Sequence, residues 1–153
     1  MRIGVVTISD TRGEADDTSG QRIREAVGAA GHSIAFYRIV RDEPAAIVAL
    51  LRDPPSPADV VITNGGTGLA PRDTTFEAVS GLIERPIPGF GELFRMLSYE
   101  EIGAAAMLSR AVAGTIGGRV VFCLPGSTKA VDLALTELIL PQARHLVGLL
   151  AAP

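Results

Sequence analysis

Apolar residues in this chain follow two patterns. In "RIGVVTISDTRG", "ADVVITNGGTG" and "RVVFCLPGS" they run on uninterrupted and stop at a turn rich in Gly, Ser, Thr or Asn. Such Val/Ile runs predict strands buried on both faces, the habit of parallel sheets covered by helices. "SIAFYRIV", where apolar and polar residues partly alternate, predicts a further strand.

Between the strands the spacing turns helical. In "TSGQRIREAVGAAG", Ile23, Ala26, Val27 and Ala30 share one face, and Gly31 is placed to stop the helix. Asp42 precedes "EPAAIVALL", where it can cap a helix with Pro44 in its first turn. Thr74 with Glu77, and Ser98 with Glu101, read as capping boxes opening "TFEAVSGLI" and "YEEIGAAAML". Val131, Ala134, Leu135 and Leu138 form the stripe of a closing helix that Pro141 bends or restarts. Strands alternating with helices predict an α/β fold: a three-layer α/β/α sandwich with a mostly parallel central sheet, as one domain over 1–153. Ligands of such sheets bind at the C-terminal ends of strands, which puts "TISD", "TNGGTG" and "LPGS" on one edge.

Composition narrows the function classes. At 153 residues and 47% hydrophobic, the chain can bury a proper core. No apolar run approaches the roughly 20 residues that span a bilayer, and the N-terminus reads as a strand, so a soluble cytoplasmic protein is expected. A net charge of −3 and 5% aromatic residues without Trp argue against a nucleic-acid surface. The lone Cys123 sits in an apolar run and reads as a buried hydrophobe; His32 and His145 stand apart without ligand spacing. Lys129 is the only lysine among fourteen basic residues, which draws attention to its place after "LPGS".

The chemistry concentrates at the turns. Gly65, Gly66 and Gly68, with Thr67 between them, leave N–H groups unshielded ahead of a helix, either to hold a phosphate by backbone alone or to make a tight strand-to-helix turn. The loop is neither a Walker P-loop nor the dinucleotide fingerprint. If Thr74 and Glu77 close the helix start, the Asp73 carboxylate is spare, and a carboxylate beside a phosphate cradle suits Mg²⁺. Asp42 is a cap or a second such carboxylate, and Asp10 a third candidate. Ser127 and Lys129 start a helix from which a lysine can reach a phosphate, against the default of a solvated side chain.

"TNGGTGLAPRDTTFEA", "PGFGELFRMLSYEEIGAAAMLSRAVAG" and "LPGSTKAV" together resemble the MoaB/MogA family of molybdenum-cofactor biosynthesis, over nearly the whole chain. The resemblance implies Mg²⁺-dependent transfer of AMP from ATP to the terminal phosphate of molybdopterin, by a trimer or hexamer that passes its product to a molybdate-insertion enzyme. Carried across by motif, Asp42 of "VRDE" and Asp73 of "APRD" serve Mg²⁺ and catalysis. Ser9 and Asp10 of "TISD", Gly65 to Gly68, Ser109 of "LSR" and Pro125, Gly126 and Ser127 of "LPGS" form the nucleotide and pterin pocket. The clearly catalytic branch commonly reads "TTGGTG"; Asn64 and the "STKA" ending resemble the MoaB branch instead. The alternative function is a non-catalytic protein of the same pathway that binds molybdopterin or its precursor.

Overall fold

The computed structural model describes residues 1–152. Its six strands are β1 (Arg2–Ile8), β2 (Ser33–Val40), β3 (Val60–Asn64), β4 (Arg85–Pro86), β5 (Val112–Ile116) and β6 (Arg119–Leu124). They form one sheet in the order β2-β1-β3-β6-β5-β4. β2, β1, β3 and β6 are mutually parallel, while β5 runs antiparallel to both β6 and β4. The predicted runs are the central strands: β3 is buried throughout, and β1 and β6 are buried after their first arginine. β2, with its alternating pattern, is the half-exposed edge.

Alternation along these strands divides the interior into two cores. Ile3, Val5, Val60, Ile62, Val120, Phe122 and Leu124 face one way, and Val6, Ile8, Val61, Val121 and Cys123 face the other. The first face is covered by α1 (Thr18–Ala29), α4 (Pro88–Ile102) and the C-terminal helices, and the second by α2 (Pro44–Arg52) and α3 (Thr75–Ser80). This is the three-layer arrangement expected. β5 and β4 escape the hydrophobic pattern: β5 is five residues long and interrupted by Gly114, and β4 is only the exposed pair Arg85–Pro86. The signal for β5 is the Gly117–Gly118 turn, whose φ values of 55° and 74° suit a two-residue hairpin with the right-handed twist of its strands.

Several helix starts differ from the local reading. No side chain caps α2: its N-cap position falls to Glu43, and Asp42 turns elsewhere. Thr74 holds the N-cap position of α3 without a side-chain cap bond, and Glu77 pairs with Arg110, so that capping box does not form. Ser98 is buried inside α4, which starts ten residues earlier with Pro88 at its first position, so the second box is also absent. Phe90, Phe94 and Ser98, spaced four apart, make the buried stripe of α4; Gly103, with φ 66°, ends it, and "GAAAML" becomes a 3-10 turn. α1 stops before Gly31 as expected, though Ala30 is exposed.

The closing helix comes in three stretches: α5 (Thr128–Leu133), a π-helical segment (Ala134–Ile139) and α6 (Leu140–Ala151). Pro141 has no N–H for the carbonyl four residues back, and the wider π turn takes up the mismatch. The added residue shifts the buried stripe from Leu138 to Ile139, which is fully buried.

Candidate functional site

Three loops leave the C-terminal ends of β1, β3 and β6 side by side. Gly65 N–H donates to Leu124 O at 3.0 Å, and the Ser19 hydroxyl and Arg12 guanidinium donate to Gly126 O at 2.7 and 3.3 Å. With α4 and the 3-10 turn as the facing wall they enclose a cleft of about 540 Å³. One side is polar: Ser9, Arg12, Gly65 to Gly68, Asp73, Ser109, Gly126 and Ser127. The other is apolar, from Phe94, Ile102, Ala105 and Leu108. A smaller cavity of about 190 Å³ shares Ser9, Gly66 and Asp73 with the cleft and adds Asp10, Asp42 and Arg72.

The glycines are small because carboxylates press against them. A Cβ on Gly66 would collide with Asp42 Oδ2 and the Thr75 hydroxyl, and one on Gly68 with Asp73 Oδ2. Gly65 and Gly66 also hold φ values of 101° and 65°, strained for any residue with a side chain. Asp42 reaches across from the end of β2: its Oδ1 accepts from Thr74 N–H at 3.0 Å, the Thr74 hydroxyl at 2.7 Å and the Thr75 hydroxyl at 3.4 Å. It therefore caps α3 instead of α2. Asp10 Oδ1 in turn accepts from Asp42 N–H at 3.1 Å. The Asp73 carboxylate accepts from Ala70 N–H alone, at 3.2 Å, so it is spare because Asp42 supplies the cap.

Of the residues singled out in the sequence, Ser9, Thr67, Ser109, Pro125, Gly126 and Ser127 line the cleft, and Asp10 and Asp42 the adjoining cavity. Ser127 also caps α5 through Ala130 N–H. Lys129 is not on either wall; it is exposed in a separate depression with Glu101, Asp132 and Glu137. Arg12 is the basic side chain on the main cleft wall among the described residues. Its signal was present in "TISDTRG", three residues after Ser9, whose hydroxyl accepts from Thr11 and Arg12 N–H.

Two further residues support the site. Buried Asp17 caps α1 through Gly20 N–H at 2.9 Å and accepts the Thr7 and Tyr37 hydroxyls at 2.5 and 2.6 Å. Asn64 extends this network by donating to the Thr7 hydroxyl at 3.0 Å, directly ahead of the glycine loop. Burial, then the bond to Asp17, pushes the Tyr37 phenol above its usual range. Arg110 ties the glycine loop from behind, with its guanidinium over the Phe76 ring. The cleft holds no prepared thiol: Cys123 is fully buried, and burial pushes it up to about 12.

No three His, Cys, Asp or Glu among the described residues converge closely enough to hold a metal alone. The donors present instead fit Mg²⁺, which takes one or two protein carboxylates and fills its shell with phosphate oxygens and water. Among the described residues, no helix is long and apolar enough to cross a membrane.

Comparison with known proteins bears on what such a cleft takes. The family described as "Probable molybdopterin binding domain" matches residues 4–145. Molybdenum cofactor biosynthesis protein B of Bacillus cereus is 53% identical over 149 residues, covering 95% of this chain and 88% of that protein. A crystal structure of a molybdenum cofactor biosynthesis protein B superposes with a TM-score of 0.93 at 52% identity, covering 97% of this chain and 94% of that one. The tungsten cofactor synthesizing protein MoaB of Pyrococcus furiosus superposes with a TM-score of 0.89 at 40% identity, covering 99% and 97%.

Proposed function

The chain belongs to the MoaB/MogA family of molybdenum-cofactor biosynthesis proteins, and from that premise we propose that it transfers AMP from ATP to the terminal phosphate of molybdopterin, with Mg²⁺. The observation that carries the reading is the pair Asp42 and Asp73, each pressed against one glycine of the same loop beside the cleft.

The residues divide the work by position. Asp42 is oriented through Oδ1 by the start of α3, which leaves Oδ2 for a cation, and Asp73 is held by one weak bond. Mg²⁺ bound by these carboxylates and by phosphate oxygens would neutralise charge building on the departing pyrophosphate. Loop N–H groups receive phosphate oxygens, and Arg12 adds a positive charge at the mouth of the cleft. The apolar wall of Phe94, Ile102 and Leu108 accepts a flat ring and keeps water from that side.

The bond that forms joins an oxygen of the pterin phosphate to the α-phosphorus. The bond that breaks runs from that phosphorus to the bridging oxygen, which leaves with the electron pair as pyrophosphate. No side chain on the wall is set up as a nucleophile: the Ser9 hydroxyl oxygen is engaged by two backbone N–H groups, and Cys123 is sealed in the core. Transfer is therefore direct, and holding both reactants in line can lower the barrier by roughly 7–11 kcal/mol. The proposal includes a homo-oligomer, most simply a trimer, because Met96, Tyr99, Ile102, Met107 and Leu108 expose a run of large apolar surface along α4 and the 3-10 turn.

The test is direct. Purified protein given Mg²⁺, ATP and molybdopterin should yield adenylylated molybdopterin and pyrophosphate. Tight molybdopterin binding without pyrophosphate release would make this a carrier of the pterin instead, and an AMP-labelled protein formed without pterin would overturn the direct displacement.

A further inference from the structure

Arg110 is absent from the wall of the cleft, yet it makes more hydrogen bonds to the glycine loop than any other side chain. Its Nε donates to Thr67 O at 2.9 Å, its Nη2 to Gly68 O and, at 3.5 Å, to Asp73 O, and its Nη1 to Glu77. The side chain is only 19% exposed and lies with Cζ 4.8 Å from the centre of the Phe76 ring. One planar fork thus holds three loop carbonyls from behind, and its charge is balanced by Glu77. The Arg110 hydrogen bond keeps the Glu77 carboxyl below its usual range.

The peptide unit turns this grip into a consequence on the opposite side. In a planar trans peptide the N–H of one residue points away from the carbonyl of the residue before it. Thr75 N–H holds Gly66 O at 3.0 Å, and Arg110 holds the next two carbonyls. The N–H groups of Thr67, Gly68 and Leu69 are therefore all turned away from α3 and Arg110. None of the three donates to an acceptor within the protein among the described residues, and Thr67 and Gly68 line the cleft. A row of free N–H groups is an anion-binding concavity.

We propose that Arg110 is the positioning residue of this site: by holding the carbonyls of Thr67 and Gly68 it aims the loop N–H groups at a phosphate of the substrate. The proposal rests on the adenylyl-transfer reading and adds how phosphate recognition is built. Because Glu77 balances the guanidinium, Arg110 works as a rigid fork and not as an attracting charge. A lysine keeps the charge and most of the stem but offers no planar fork for two adjacent carbonyls.

Inorganic pyrophosphate, titrated into ¹⁵N-labelled protein, tests this by NMR. In the wild-type chain the amide signals of Thr67, Gly68 and Leu69 should move along with those of Arg12 and Ser127. In Arg110→Lys the three loop signals should stay, the Arg12 signal should still move, and affinity should fall by about tenfold, equivalent to about 1.4 kcal/mol. A merely structural role would lower the melting temperature without selecting these amides. Arg110→Lys that binds as tightly as wild type and moves the same signals overturns the proposal. Should that variant not fold, the wild-type titration decides: loop amides that stay while Arg12 and Ser127 move remove the proposal and leave the adenylyl-transfer reading intact. A cleft in which no signal moves removes both.

Discussion

Asp42 and Asp73 flank one loop but are held by very different numbers of hydrogen bonds, and substitution separates them. Asp42→Ala strands Thr74 N–H and two hydroxyls at the start of α3, which costs about 1–3 kcal/mol. Asp73→Asn gives up little, because a single 3.2 Å bond to Ala70 is at stake and the amide oxygen can still accept it. Both should lose adenylyl transfer, so thermal melts run beside pyrophosphate release distinguish the two. An Asp73→Asn protein that melts far earlier yet keeps full turnover would make Asp73 a structural residue. The sequence shows these aspartates as candidates because they sit beside turns. It does not show that Asp42 caps a helix 32 residues away, since capping rules look only at the next few positions.

Among the helices, α1 shows how an element is tied to the site. Asp17 is 1% exposed, ends the loop from β1, caps α1, and is the acceptor for hydroxyls on β1 and β2. Asp17→Ala leaves the Thr7 and Tyr37 hydroxyls stranded along with Gly20 N–H, a loss of about 2–4 kcal/mol readable by urea denaturation. Tyr37→Phe, which removes one donor and strands nothing comparable, should cost well under half as much. Equal losses in the two variants would mean that the network adds nothing beyond the single Tyr37 bond. From sequence, "DDTSG" offers the cap but not the two hydroxyls, which arrive from neighbouring parallel strands. The same limit explains the two capping boxes that do not form. Glu77 has a better partner in Arg110, and the Phe90, Phe94, Ser98 stripe carries α4 straight through the supposed start.

At the scale of the molecule, the buried Cys123 thiol and the half-buried Tyr37 phenol shape the response to alkali. The Cys123 thiol is raised from 9.0 to about 12 by burial, and the Tyr37 phenol is raised from 10.0. Below pH 9 the thiol is protonated in both states and its contribution is fully present. Between there and about 12 the unfolded chain releases a proton that the folded chain keeps, so stability falls as pH rises. Cys123→Ala should be less stable at neutral pH but lose less on going from pH 9 upward. A parallel decline in the two proteins would remove Cys123 from the cause. The exposed apolar run from Met96 to Leu108 belongs to this scale too. Sedimentation at micromolar concentration should give an oligomer, and a monomer alone would contradict the proposed assembly.

The three buried strand runs, their turns and the edge they share were legible in the chain, because burial on both faces demands unbroken apolar runs and a sharp exit demands glycine. The family could likewise be read from ordered motifs. Contacts between segments distant in sequence were not legible. Lys129 stood out by rarity, yet the course of α5 leaves it in another depression, and Arg12 stands on the cleft wall. Arg110 looked like one arginine among thirteen until folding brought it behind the glycine loop. Local patterns specify how a segment is buried or bent. Which side chains meet across β1, β3 and β6 depends on strand order and register, and no single segment carries either.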